Sequence, residues 1–171
     1  MKFIIEDDRI GLVQYTHADD RDMYECWQDE VTQRGYNGAY YDTFEQYAAT
    51  DIARFRFWVT AVDKASGERV GSLRLGLDDE WPDLAIWIYP GYRHMGYGRA
   101  AYALALEYLF ERAGLKQVSA GCYEDNEFSR RILRALGFER YPAGDEVEPN
   151  YLTGAPTVQQ EYRLHRADFN A

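Results

Sequence analysis

The sequence predicts an α/β (α+β) fold: a mixed, mostly antiparallel sheet with helices on both faces. Three observations carry this expectation. Phe55–Val62 and Val70–Leu77 are rich in β-forming residues. The segment Asp63-Lys64-Ala65-Ser66-Gly67-Glu68 joins them and holds a glycine suited to a turn, so the pair reads as a β-hairpin. A third apolar run, Leu84–Tyr89, follows the acidic turn Asp78-Asp79-Glu80-Trp81-Pro82-Asp83 and adds another antiparallel strand. That run leads through a glycine-bearing loop into the Ala/Leu-rich stretch Ala100–Ala113, and then to the alternating Val118, Ala120 and Cys122. Strand, loop, helix and strand in that order make a parallel crossover.

The other elements fall into place around this frame. Ile10–Tyr15 reads as the first strand. His17-Ala18-Asp19-Asp20 caps a helix that runs through Met23, Cys26 and Trp27. Thr43 with Gln46 forms the capping box of a second helix. Between them lie Tyr36, Tyr40 and Tyr41, and Phe44 and Tyr47 follow. Such aromatic density serves either as core under a helical arm or as one wall of a substrate cleft. The long helix Arg99–Ala113 ends at Gly114, and a helix capped by Asn126 runs to Leu136 and stops at Gly137. Tyr151–Gly154 forms a turn, and Thr157–His165 closes the fold as a strand with Val158, Tyr162 and Leu164 on one side.

Composition bounds the function. The 171 residues fit one domain, 1–171, and the 46% of hydrophobic residues argues against disorder. A formal net charge of −10 disfavours nucleic acid, whose phosphates it would repel. The same charge either steers a cationic substrate or simply keeps the protein in solution. No apolar stretch approaches the ~20 residues of a membrane helix. Acids at Glu6, Asp7 and Asp8 stand where a signal peptide would run on, so a cytoplasmic location without a membrane partner is expected. Cys26 and Cys122 lack metal-ligand spacing and read as buried thiols, and no metal is expected.

The most informative segment is Arg93-His94-Met95-Gly96-Tyr97-Gly98-Arg99, between the third strand and the long helix. A glycine-bearing loop there points several backbone N–H groups at one spot, and the helix start adds the positive end of its dipole. A pyrophosphate is the natural occupant. Gly96 and Gly98 let the ligand reach the backbone and supply positive φ where the turn requires it. Gly96-Tyr97-Gly98-Arg99-Ala100-Ala101 also fits a dinucleotide fingerprint, but its context does not. Pro90 through Met95 separate strand from glycine, and Lys116 and Gln117 stand where a ribose-binding acid would be needed.

The longer pattern Ile88-x-Pro90-x-x-Arg93-x-x-Gly96-x-Gly98, then Asn126-x-x-Ser129 and Leu136-Gly137-Phe138, resembles the GCN5-related N-acetyltransferase (GNAT) family. The segment Pro82–Gly98, with Tyr151-Leu152-Thr153-Gly154 and Glu161-Tyr162-Arg163-Leu164, is similar to the branch that includes the ribosomal-protein N-terminal acetyltransferases. The resemblance is strong from Leu84 to Phe138 and vague before Phe55.

The resemblance implies a cytoplasmic acyltransferase that binds acetyl-CoA (coenzyme A) and acetylates a primary amine by direct attack on the thioester. A small molecule or a peptide could supply that amine, and the protein would be a monomer or homodimer. It implies a splayed central strand pair, with the pantetheine arm between Ile86, Trp87 and Ile88 and the strand Val118–Cys122. The phosphates would rest on backbone N–H groups of Arg93, His94, Gly96, Gly98 and Arg99, with Met95 and Tyr97 between them. Arg93 and Arg99 could add charge. Asn126 would contact the arm, and Ser129 would serve the departing thiolate, although both residues also suit a plain helix cap. Asp83 takes the position of a base, or is a turn residue after Pro82. Leu133 stands where many relatives carry a tyrosine acid, which leaves room for a non-catalytic acyl-CoA-binding sensor or scaffold. A nucleotide-dependent oxidoreductase ranks below both. Acids at Asp78–Glu80 and Asp145–Glu148 hint at a cationic acceptor.

Overall fold

The computed structural model describes residues 1–170. Five strands lie antiparallel in chain order: β1 (Ile5–Glu6), β2 (Ile10–Gln14), β3 (Trp58–Asp63), β4 (Arg69–Leu75) and β5 (Leu84–Ile88). A second sheet is built on β9 (Pro156–His165). It pairs with β6 (Gln117–Tyr123) along one edge and with β7 (Glu139–Arg140) and β8 (Glu146–Pro149) along the other. The expected hairpin, third strand and closing strand are all present. One continuous sheet is not, because β5 and β6 touch only through a parallel bridge at Asp83 and Ser119 and part from there.

Helices cover the two faces separately. On one face lie α1 (Asp20–Gln28), α2 (Glu30–Tyr36) and α3 (Phe44–Ala48), over a core of Tyr15, Met23, Cys26, Trp27, Tyr47, Trp58, Trp87 and Tyr89. On the other lie α4 (Tyr97–Glu107) and α5 (Glu127–Ala135), over a larger aliphatic core. The period of two in β5 explains the division. Leu84, Ile86 and Ile88 turn toward α4, while Trp87 and Tyr89 turn toward α1 and α2.

Local chemistry sets most helix ends. Thr43 and Gln46 form the expected capping box, and the Asn126 side chain accepts from the Ser129 N–H at 3.1 Å. Thr16, one residue ahead of the expected cap, forms a capping box with Asp19. The long helix begins at Tyr97, two residues early, because Gly96 (φ +84°) ends the loop directly before it. It continues through a π-helical turn, Tyr108–Arg112, and stops before Gly114 (φ +73°). The short helix α2 was not anticipated. Asp29 leaves the α1 conformation and recaps by accepting from the Thr32 N–H at 3.2 Å, and Asn37 ends α2 in the left-handed region (φ 53°). No helix among the described residues is long and apolar enough to cross a membrane.

Candidate active site

The loop before α4 has free donors along its length. Among the described residues, no protein acceptor takes the backbone N–H groups from Arg93 to Arg99. Gly91 (φ +94°), His94 (φ 62°) and Gly96 (φ +84°) bend the chain so that these groups and the α4 terminus form one concave surface. The chemistry of this donor set fits an anionic diphosphate. Gly98 is buried under the loop, and a Cβ there would lie 3.5 Å from Ile132 and 3.6 Å from Ile88. His94 is exposed with its ring edge toward Phe128, and Met95 and Arg99 are exposed as well. One expectation needs correction. The Arg93 guanidinium does not face the loop's concave side as a free charge; it binds Asp29 at 2.7 Å and Thr32 at 2.8 Å, both on the α1–α2 side.

Below the loop, β5 and β6 diverge. Their closed end is at Asp83 and Ser119, where the Ser119 N–H donates to Pro82 O at 3.0 Å and its Oγ to Trp81 O at 2.9 Å. Toward the loop, the outer edge of β5 has no strand beside it. Ile86 and Ile88 direct their backbone groups into the gap, and among the described residues the Ile88 N–H has no acceptor. The expectation for Trp87 is corrected by strand alternation. Trp87 pairs with Ser72 of β4, so its N–H and C=O point away from the gap.

Tyr36, at the end of α2, occupies part of this edge. Its hydroxyl donates to Ile86 O and accepts from the Ile86 N–H, so one phenol takes both free backbone groups of that residue. The ring stacks on Trp87 with centroids 5.1 Å apart and an interplanar angle of 15°. Burial pushes the phenol well above its ordinary pKa, and the Asp83 charge adds to the rise. The aromatic stretch thus divides between both expected roles: Tyr47 is core, while Tyr36 borders the gap.

Asn126 and Ser129 begin α5 on the loop's side of the gap. The Asn126 carbonyl oxygen is spent on the cap, while its amide faces α2, where a Cβ on Gly35 would lie 3.9 Å away. Leu133, one turn past Ser129, is buried in the core. The two cysteines are free buried thiols, and burial pushes Cys122 up to about 11.

On the opposite face, under the closed end of the gap, lies a recess of about 490 Å³. Five carboxylates line it (Asp78, Glu80, Asp83, Glu146, Glu161) with one guanidinium, Arg163. Arg163 is already paired with Glu161 at 2.7 Å, so the recess is net acidic. Asp145 contributes nothing to it, because Arg140 holds its carboxylate through both oxygens at 2.6 and 2.7 Å. The Asp83 carboxyl opens on the recess but is closely surrounded by protein on its other sides. Burial pushes it up to about 6, against the Gly121 N–H and Arg74, with Glu161 adding to the rise.

Residues 9–139 match the family described as the acetyltransferase (GNAT) domain. The chain belongs to the GNAT family. It is therefore an N-acetyltransferase, and its donor is acetyl-CoA. An uncharacterised N-acetyltransferase of Bacillus subtilis (strain 168), YoaA, is 23% identical over 175 residues, covering 94% of this chain and 96% of that one. The spermidine N-acetyltransferase of Vibrio cholerae, solved with CoA and spermine, superposes with a TM-score of 0.81 at 16% identity, over 95% and 98% of the two chains. A ribosomal-protein-S5-alanine acetyltransferase of Vibrio fischeri gives 0.74 at 15% identity, over 97% and 98%.

In this GNAT chain several residues bear on the site that the sequence alone did not disclose. Arg9, in the turn before β2, donates to Met95 O at 2.7 Å and lies 4.2 Å from the Tyr97 ring centroid, bringing a cation to the loop. Asn37 binds Glu148 at 3.2 Å, Pro149 O at 3.0 Å and the Tyr151 N–H at 2.9 Å, which ties α2 to the β8–β9 hairpin. These contacts span 86 to 114 residues of chain, and no local pattern encodes them.

Proposed function

We propose that this chain transfers the acetyl group of acetyl-CoA to the primary amine of a cationic acceptor, which enters through the acidic recess. One observation carries the reading. The gap between β5 and β6 separates a surface of free N–H donors on the α4–α5 side from a net acidic recess on the other. A donor with anionic phosphates and an acceptor with a positive charge would thus approach from opposite faces.

Acetyl-CoA supplies an activated acyl thioester, and the remaining tasks fall to the chain. The loop from Arg93 to Arg99 holds the diphosphate through its backbone, with Arg9 adding charge. The Ile88 N–H, beside the phosphate loop, stands ready to pair with the pantetheine arm as a neighbouring strand would. Asp83, ionised above pH 6, attracts the acceptor ammonium and takes its proton, which frees the nitrogen lone pair for direct attack on the thioester. Ser129 donates a hydrogen bond to the departing sulfur and stabilises it as the thiolate. The Asn126 amide steadies the arm.

Two acceptor types suit this recess: a polyamine, or a peptide N-terminus followed by basic residues. Among the similar structures, one is a spermidine N-acetyltransferase solved with CoA and spermine, and another is a ribosomal-protein-S5-alanine acetyltransferase. The polyamine is favoured by Asp78 and Glu80, two further carboxylates in the same recess that form no ion pair among the described residues, although Asp78 Oδ1 also accepts from the Glu80 and Trp81 N–H groups. Release of free CoA thiol, followed across spermidine, a basic peptide, a neutral peptide and a neutral amino sugar, tests the reading. The cationic acceptors should show the highest kcat/KM, and their advantage should shrink as salt rises. A neutral or acidic acceptor with the highest kcat/KM would refute it.

A further inference from the structure

Two aromatic rings beside the phosphate loop have no partner but each other. Phe128, in the first turn of α5, is 53% exposed, the most exposed phenylalanine among the described residues. The His94 imidazole lies 5.3 Å from it, ring centre to ring centre, at an interplanar angle of 73°. His94 belongs to the loop itself and holds a left-handed backbone (φ 62°), which is uncommon for a residue with a side chain. Met95 beside it is 51% exposed. A single exposed apolar side chain needs no explanation, but a group of them at one loop marks a binding surface. An edge-to-face contact covers one face of one ring, so flat faces remain for a third ring to stack on.

The donor carries such a ring. Coenzyme A bears pantetheine on one side of its diphosphate and adenosine on the other. With the diphosphate on the loop and the arm in the gap, the adenosine extends away from the gap, over the outer side of the loop. Successive helical residues point about 100° apart, so Ser129 and Phe128 serve different directions from the same turn of α5. The other rings near the loop are occupied. Tyr97 is buried with Arg9 lying over it, and Tyr92 packs against both cores. We propose that Phe128 and His94 form the platform on which the adenine of acetyl-CoA stacks. The proposal rests on the donor site assigned above and extends it from the diphosphate to the nucleoside.

Cutting the donor at its diphosphate separates this role from a structural one. Calorimetry with acetyl-CoA, adenosine 3′,5′-bisphosphate and S-acetyl-4′-phosphopantetheine reads the whole donor, its nucleotide half and its arm, independently of turnover. Phe128→Ala should weaken acetyl-CoA and the bisphosphate alike, by at least about fivefold, the lower end of what one base–aromatic stack supplies. It should leave the affinity for S-acetyl-4′-phosphopantetheine unchanged. Phe128→Tyr, which keeps the ring, should restore wild-type binding of all three. His94→Asn removes the imidazole while tolerating the left-handed backbone, and it should act in the same direction as Phe128→Ala. Thermal melts confirm that each variant is folded. Unchanged affinity for the bisphosphate in either folded variant overturns the proposal. An equal loss for S-acetyl-4′-phosphopantetheine in Phe128→Ala also overturns it, since the ring would then serve the arm. So does a wild type that binds S-acetyl-4′-phosphopantetheine as tightly as acetyl-CoA, a measurement that needs no variant. Failure of acetyl-CoA and both halves to bind the wild type would instead overturn the donor site itself.

Discussion

Asp83→Asn separates the catalytic and structural consequences of one carboxyl. In the wild type this group is pushed up to about 6, chiefly by burial. At pH 7.5 it is almost wholly ionised, and at pH 5 roughly one in ten remains so. If the ionised form collects and deprotonates the acceptor, kcat/KM should fall about tenfold between a neutral plateau and pH 5. Asp83→Asn should remove that limb and lower kcat/KM at pH 7.5 by about 10²–10³-fold, within the usual range for a positioned base. The effect on stability has the opposite sign. A carboxyl raised in the folded state binds its proton more tightly there than in the unfolded chain, whose pKa is about 3.9. Its ionisation therefore destabilises the fold progressively from pH 4 to 6 and by a constant amount above that. Asp83→Asn should melt higher than wild type at pH 7.5, and the difference should shrink toward pH 4. Thiol release with a cationic amine between pH 5 and 8.5, with thermal melts at pH 4.5 and 7.5, measures both effects. A variant that retains the limb near pH 6, or that melts lower at pH 7.5, refutes the assignment.

Three further substitutions test other parts of the site. Gly96→Trp should destabilise the fold by about 1–2 kcal/mol, because φ +84° suits only glycine, and should weaken acetyl-CoA binding at least about tenfold in calorimetry. Unchanged affinity would remove the loop from the donor site. Ser129→Ala keeps the N-cap, which uses the Ser129 N–H and not its hydroxyl, so it should lower kcat at least about tenfold while leaving the acetyl-CoA Kd unchanged. An unaltered kcat would leave Ser129 as part of the cap alone. Arg93→Ala leaves Asp29 and Thr32 without their partner in a half-buried setting, so denaturant titration should show a loss of about 1–3 kcal/mol. Its acceptor KM should rise more than its acetyl-CoA Kd, and the reverse order would mean that the guanidinium serves the phosphates.

Period and punctuation made much of this fold legible. Thr43 with Gln46, Asn126 before α5, and Gly114 and Gly137 after their helices are local signals, and each operates where the residues imply. The loop from Arg93 to Arg99 was legible for the same reason, since its glycines serve a local backbone geometry. Helix α2 was not, because seven residues containing Gly35 and Thr32 have little intrinsic helical preference. Tertiary ties at Arg93 and Asn37 hold it instead. The direction of the Arg93 side chain was also hidden. In sequence it is a cation beside a phosphate loop, and only the fold brings Asp29 within 2.7 Å of it. Acid clusters were misleading in part, since Asp145 is neutralised by Arg140 while Glu161, from the far end of the chain, joins Asp83 in the recess.

Helix α2 explains why the two faces of the gap need not act independently. Within eight residues it reaches four structures that otherwise share little: Thr32 holds Arg93 of the phosphate loop, Gly35 abuts the Asn126 cap, Tyr36 takes the Ile86 edge, and Asn37 pins the β8–β9 hairpin. So short a helix has little stability of its own, and its position is set by those attachments. Any shift of Arg93 on donor binding would be transmitted through Thr32 to Tyr36 and Asn37, which border the gap and the hairpin beside the recess. The aromatic stack of Tyr36 on Trp87 resists sliding but permits small rotation, since stacked rings lose little on such motion.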